Sequence, residues 1–182
     1  MPRPHVSGAA TNAPRFNRRR MRIALAAAAA CVLASTAAAA LPRTGTLVAG
    51  RSLAGVRLGA TEAQVRALLG DSYGVCRGCV RPTWYYNLQP FDTHGLGVEF
   101  TRGRVSAVYT IMEPPGWLGP KNIVLGGNSG EVTTAAGPLV VVTCPGYDAW
   151  VADGKHARTV YYILNDILWG FGLMRPHADP CR

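Results

Sequence analysis

Three groups of residues in this chain are of types that do chemistry. Gly127-Asn128-Ser129-Gly130 sets a serine among glycines, as does a loop that presents a nucleophilic hydroxyl to an oxyanion hole. Cys76-x2-Cys79, Cys144 and His177-x3-Cys181 offer three alternatives: two disulfides, a thiolate-rich zinc site, or a dithiol redox pair. His94 and His156 sit in the turn-like segments "DTHG" and "DGKH" and read as turn residues rather than ligands.

The serine reading fails on order. A chymotrypsin-like site needs His, Asp and Ser in sequence. His94 is the one histidine between residue 41 and Ser129, and no aspartate follows it before the serine. Asn128-Ser129 reads instead as a helix start. Asp92, Glu99 and Glu113 have no spacing that defines an acid and base pair, and "LGG" at 125–127 lacks the Lys-Ser/Thr of a phosphate loop. No cofactor is expected. For the cysteines, "RPTWYY" comes after Cys79 where a redox pair would open a helix, so disulfides are the favoured reading.

An exported context supports that reading. Residues 18–40, "RRRMRIALAAAAACVLASTAAAA", have a basic start, an apolar stretch and small residues ending in Ala-x-Ala, the pattern of a secretory signal cleaved beside Ala40; residues 1–40 are assigned to it, with Met21 as a second candidate start. Lipoprotein processing at Cys31 is the alternative, although the usual large aliphatic residue three positions earlier is missing. The formal charge of +9 belongs mostly to this leader, which holds Arg3, Arg15, Arg18, Arg19, Arg20 and Arg22 of the nineteen basic residues. From Leu41 onward the chain is close to neutral, so nucleic acid is not expected as a partner. The membrane is reached only through the leader or a lipid on Cys31.

The elements that position these residues come from an internal echo. "LGATEAQVRALLG" at 58–70 and "LGGNSGEVTTAAG" at 125–137 match at one offset: Leu58 with Leu125, Val65 with Val132, Gly70 with Gly137. Thr61 and Asn128 are N-caps, Gln64 and Glu131 stand where a capping box needs them, and each segment ends in a C-cap glycine. Each predicts a helix of about two turns. Downstream, "TWYYN" and "YDAWV" read as aromatic strands. "GVEFTRGRVSAVYTIM" and "TVYYILNDILWGFGLM" read as hairpins about Arg102-Gly103 and Asn165-Asp166. The pairing expected is Phe100 with Val105, Val98 with Ala107, Leu164 with Ile167, and Tyr162 with Trp169. The fold class this predicts is α+β: two tandem repeats, residues 41–112 and 121–182, each a short helix packed on an antiparallel sheet of about three strands, joined by the Pro/Gly linker "EPPGWLGP" at 113–120. Trp117 in that linker reads as a plug between the repeats or an exposed contact.

Gly-Val-Arg-Leu-Gly-x-Thr-x-x-Gln-Val-x-x-Leu-Leu-Gly at 55–70, then "WYY" and the "GVEF…GRV" hairpin, resembles the small outer-membrane lipoproteins of the barrel-assembly machinery (SmpA/OmlA type). Two such units in tandem resemble the beta-lactamase inhibitory proteins. The resemblance spans about residues 52–174, and its second half is weaker, with Ala135 and Ala136 in place of the leucines. It implies a sheet surface that grips a protein. In the expected register one face of the second hairpin carries Tyr161, Ile163, Leu168 and Met174 with Gly170 and Gly172 between them, whereas the first hairpin's face carries Glu99, Thr101, Arg104, Ser106 and Thr110, a solvated set. The partner-contact candidates are therefore Tyr161, Ile163, Leu168 and Met174, with Arg77, Phe91 and His94 on the loops "CRGCVRP" and "QPFDTHG". The function expected is a non-enzymatic exported protein-interaction module, for which the resemblance offers inhibition of an extracytoplasmic enzyme as one role. The alternative is a cell-envelope assembly or structural lipoprotein, with a secreted enzyme or thiol-redox protein ranked below it.

Mass spectrometry of the amino terminus separates the two export routes. The expected terminus lies beside Ala40, and a lipid-modified Cys31 as the first residue would contradict the signal-peptide assignment.

Overall fold

Capping and turn chemistry set the local elements of the computed structural model, which describes residues 45–87 and 94–182. Helix α1, Glu62–Leu69, opens with a complete capping box: the Thr61 hydroxyl accepts from the Gln64 N–H, and the Gln64 side chain accepts from the Thr61 N–H. Gly70 closes it at φ +87°. Helix α2, Ser129–Ala136, starts differently. The Asn128 side chain caps the Gly130 N–H instead of that of Glu131, while its amide donates to Asp166 at 2.8 Å. Both helices are eight residues long, so packing must hold them. α1 buries Val65 and Leu69, and α2 buries Val132.

Leu47–Val48 (β1) and Ser52–Leu53 (β2) form a small hairpin. The other strands are Gly74–Val75 (β3), Thr83–Asn87 (β4), Gly95–Thr101 (β5), Arg104–Ile111 (β6), Val140–Cys144 (β7), Tyr147–Asp153 (β8), Arg158–Leu164 (β9) and Ile167–Met174 (β10). All eight join one antiparallel sheet in the order β3-β4-β5-β6-β10-β9-β8-β7. This corrects the expected fold class. There are not two tandem helix-on-sheet repeats: β6 pairs with β10 through Tyr109↔Gly172, Val108↔Leu173 and Ala107↔Met174, so what the sequence suggested as two sheets is one. The sequence pattern could not reveal this, because hairpin signals are local and the β6–β10 pairing joins residues about 60 apart.

The two-residue turns are where they were expected. Arg102-Gly103 and Asn165-Asp166 all have positive φ, as a type I′ turn requires. The pairs nearest the turns, Phe100↔Val105 and Leu164↔Ile167, also match. Beyond them each hairpin has a bulge. Val98 pairs with Val108 instead of Ala107, and Tyr162 pairs with Gly170 instead of Trp169. A bulge adds one residue to one strand, and that shift exchanges the faces of everything beyond it.

The expected open face is consequently closed. Tyr161, Ile163 and Leu168 lie in the main core, on the same side as Phe171, Leu173 and the buried residues of the helices. Met174 goes to the opposite side and is fully buried among Ala107, Val151, Val160 and Tyr162. As corrections to the proposed contact face, Tyr161, Ile163, Leu168 and Met174 all pack inside, with relative exposures of 1%, 6%, 1% and 0%. Of the set expected to be solvated on the first hairpin, Glu99, Ser106 and Thr110 are buried, whereas Thr101 is half-buried and Arg104 exposed. Trp117 is fully buried in the main core, its ring so close to Gly45 that a Cβ there would sit 2.5 Å from it.

Past β10 the chain runs over the back face of the sheet. Cys76 is bonded to Cys79 and Cys144 to Cys181, the latter fixing the end of this tail to β7. The two bonds close loops of very different length, with sequence separations of 3 and 37. Chain-entropy arguments give about 1–2 kcal/mol for the short loop and about 3–4 kcal/mol for the long one. Urea denaturation should show Cys144→Ala/Cys181→Ala losing about twice as much stability as Cys76→Ala/Cys79→Ala. Equal losses would mean that the tail is held without its sulfur bond.

Candidate functional site

The back face carries a row of residues that alternates tyrosine with glycine. Across the sheet, Tyr85 on β4 is level with Gly97 on β5, which pairs with Tyr109 on β6, which pairs with Gly172 on β10. The glycines are needed because the rings lie flat on the strands. A Cβ on Gly97 would fall 2.6 Å from Tyr109 Cζ, and one on Gly172 would fall 2.9 Å from Tyr162 Oη. Tyr85 and Tyr109 flank Gly97 on the same face of the sheet.

These rings wall a cleft of about 470 Å³. Tyr85 and Asn87 line one side and Tyr109 to Met112 the middle, while Tyr147, Tyr162 and Trp169 form the far side. The far aromatics pack edge to face: Tyr147 and Trp169 have centroids 5.6 Å apart, and Tyr147 and Tyr162 5.7 Å. Trp169 is the bulged residue of β10, so the bulge that changes the register also places this ring.

Arg182 completes the lining. The Tyr147 hydroxyl bonds the Arg182 backbone, and the guanidinium lies 5.9 Å from the centre of the Tyr109 ring. Its Nε is 2.7 Å from Glu99 Oε1, and both side chains are about nine-tenths buried. Glu99 also faces Arg81 at 3.4 Å. Arg182 Nε is held by this ion pair, whereas Arg182 Nη2, Tyr162 Oη and Trp169 Nε1 are buried without a hydrogen-bond partner, as are Tyr86 Oη and Trp117 Nε1 in the main core. Unmet donors of this kind cost about 1–3 kcal/mol each. Tyr162, Trp169 and Arg182, which carry these groups on the back of the sheet, all line the one cleft.

Likeness to known proteins is slight. No protein-family model matches the chain, and no curated protein matches it. Among solved structures it is similar to a DUF4309 family protein (YjgB) from Bacillus subtilis, at 16% identity and a TM-score of 0.48, with 64% of this chain and 78% of that one covered. It is also similar to an extracellular protein containing an SCP domain from Bacillus anthracis, at 11% identity and a TM-score of 0.44. That match covers 65% of this chain, and the chain spans 44% of that protein's length. Likeness of this degree assigns neither fold nor activity.

The sequence-derived candidates lie elsewhere. Arg77 is exposed in the loop closed by Cys76 and Cys79, His94 is half-buried just before β5, and Phe91 falls outside the described residues. Ser129 is buried and donates to Asp166 at the head of α2. Among the described residues no group of three His, Cys, Asp or Glu side chains could hold a metal ion, and no helix is long and apolar enough to cross a membrane. Sequence reading missed the cleft because its residues come from five strands and a tail. The one available signal was the tyrosine and glycine content of those strands, whose face the bulges had moved. The two disulfides are the chemistry of an exported protein.

Burial holds the Tyr109 and Tyr162 phenols of the back face protonated. Desolvation raises Tyr109 and Tyr162 above the ordinary value of 10.0, with the charges of neighbouring phenols and Glu99 adding to it, and it raises Tyr161 in the core to about 12. Unfolded tyrosines ionise near 10.0 while the folded ones resist, so the unfolded state holds fewer protons above that pH and stability falls as pH rises. Denaturation midpoints should stay level to about pH 9 and drop above about pH 10. Tyr162→Phe should flatten the drop by up to about 1.4 kcal/mol per pH unit. An alkaline slope unchanged by that substitution would show that Tyr162 is not sealed.

Proposed function

We propose that this chain is an exported, non-enzymatic binding protein whose recognition site is the aromatic cleft on the back of its eight-stranded sheet. The observation that carries this reading is the convergence of five aromatic rings on one concavity. Aromatic walls with a few placed polar groups are the usual make-up of a ligand site, and about 470 Å³ lies within the usual size range. The expectation of a binding role is kept, and its location moves from the second hairpin's buried face to the cleft.

A second reading is favoured by β7. This edge strand exposes Val140 and Val141 at 57% and 55%, and its outer side pairs with no other strand among the described residues, so a protein partner could add to it. The inhibitor and envelope-assembly readings drawn from the resemblance would use such an edge.

The mature protein, incubated with extracytoplasmic extract and examined by native mass spectrometry, tests both. Tyr109→Ala should weaken retention of the bound species by about tenfold or more, the effect of losing a central aromatic contact, while Val141→Lys leaves it unchanged. The reverse pattern would overturn the cleft as the recognition site and favour the edge.

A further inference from the structure

We propose that the Cys76–Cys79 bond is an exchange site for small thiols, with Cys79 as the sulfur they attack, a function independent of what the cleft binds. The two disulfides among the described residues are placed very differently. Cys144 is 4% exposed within the back-face core, and its bond to Cys181 closes a sequence separation of 37. The Cys76–Cys79 bond closes a separation of 3, and every residue from Arg77 to Pro82 is exposed. Loop closure therefore contributes much less to the short bond, and solutes reach it directly. Exposed disulfides are the labile ones.

The surroundings of the two sulfurs set the direction of attack. Cys76 is half-buried just after β3, where its N–H donates to the Thr83 carbonyl, while Cys79 is exposed. A Cβ added to Gly78 would meet nothing within 4 Å, and Val80 is fully exposed, so a thiol has an open approach to Cys79. An incoming thiolate bonds to Cys79 Sγ, and the electron pair of the broken bond leaves on Cys76 Sγ, next in sequence to the Arg77 cation. A second thiolate attacks the outer sulfur of the mixed disulfide and releases Cys79 as a thiolate. Two small thiols become one disulfide, and the protein takes up two electrons and, as its thiolates are protonated, two protons. The Tyr85 hydroxyl, 3.5 Å from Cys79 Sγ, is placed to donate to the Cys79 thiolate.

No helix begins at Cys79. Pro82 and strand β4 follow it, so the pair lacks the helix N-terminus that activates the attacking cysteine of a dithiol oxidoreductase. The site is therefore one that thiols act upon, which agrees with a non-enzymatic chain. From Ser72 to Asn87 the only charged side chains are Arg77 and Arg81, and Arg81 faces Glu99. Arg77 is then the cation at hand for the arriving and departing thiolates.

The test is stepwise reduction of the folded mature protein by reduced glutathione near neutral pH, quenched with N-ethylmaleimide and mapped by mass spectrometry. Cys76 and Cys79 should be labelled at glutathione concentrations about tenfold or more below those that label Cys144 and Cys181, with the near-UV circular dichroism unchanged. Arg77→Glu should slow this reduction several-fold at low salt, and Tyr85→Phe should raise the glutathione it requires without affecting Cys144 and Cys181. With one cysteine of the pair left, glutathione disulfide should modify Cys79 in Cys76→Ser about tenfold faster than Cys76 in Cys79→Ser.

Labelling of all four cysteines together, or of Cys144 and Cys181 first, would overturn the exchange site. Equal rates in the two single-cysteine variants would sink the assignment of Cys79 as the sulfur attacked. Should either variant fail to fold, the order of labelling in the unaltered protein decides the question.

Discussion

Three residue pairs between β6 and β10 hold the molecule together as a single sheet. Among the described residues, Tyr109↔Gly172, Val108↔Leu173 and Ala107↔Met174 are the strand pairs that join the half that starts at α1 to the half that starts at α2. So short a seam needs support from both faces. On the front, Val98, Val108 and Phe100 from one half pack in the same core as Tyr161, Phe171 and Leu173 from the other. On the back, the Arg175 N–H donates to the Ser106 carbonyl, and Arg182 reaches Glu99 on β5. The disulfide to Cys144 holds the same tail to β7 at the far edge. The tail therefore ties an edge strand of one half to a central strand of the other, and the Glu99–Arg182 pair fastens its far end.

The bulges are the second constraint. Each hairpin has one extra residue on the tail side of a tight turn, and in β10 that residue is Trp169. Without it, Gly170 and Gly172 would share a face with Tyr161 and Ile163. With it they share a face with Tyr162, whose ring needs the room they leave. One inserted position thus fills the front core with Phe171 and Leu173 and opens the back face into a cleft.

The sequence made the local elements legible because their signals are chemical and short in range. Thr61 with Gln64, Asn128, Gly70 and Gly137 mark helix ends by what their own atoms can bond, and Arg102-Gly103 and Asn165-Asp166 mark turns by tolerating positive φ. The bulges have no such mark. Counting from the turns gives the right partner for Phe100 and Leu164 and the wrong one for Val98 and Tyr162, and the error propagates to every face assignment beyond. That is why Tyr161 and Met174, which alternate as if on one open face, are found in two different cores. The β6–β10 seam was illegible for another reason: a strand's pattern records that a face is buried, and not which strand lies beside it.

What stability alone would have selected on the back face differs from what is there. Phenylalanine at 162 would keep nearly the same apolar packing against Tyr147 and Met174 and would leave no donor unmet there. The buried ion pair at 182 fastens the tail but gains little over an apolar contact of similar size, and removing one partner would leave the other charge buried and unpaired. Unpartnered buried donors also sit in the main core, at Tyr86 Oη and Trp117 Nε1, so such groups do not single out the back face. The back face is then a compromise in which the tail and its sulfur bond supply the rigidity that the aromatic cleft, left partly unpaired, does not.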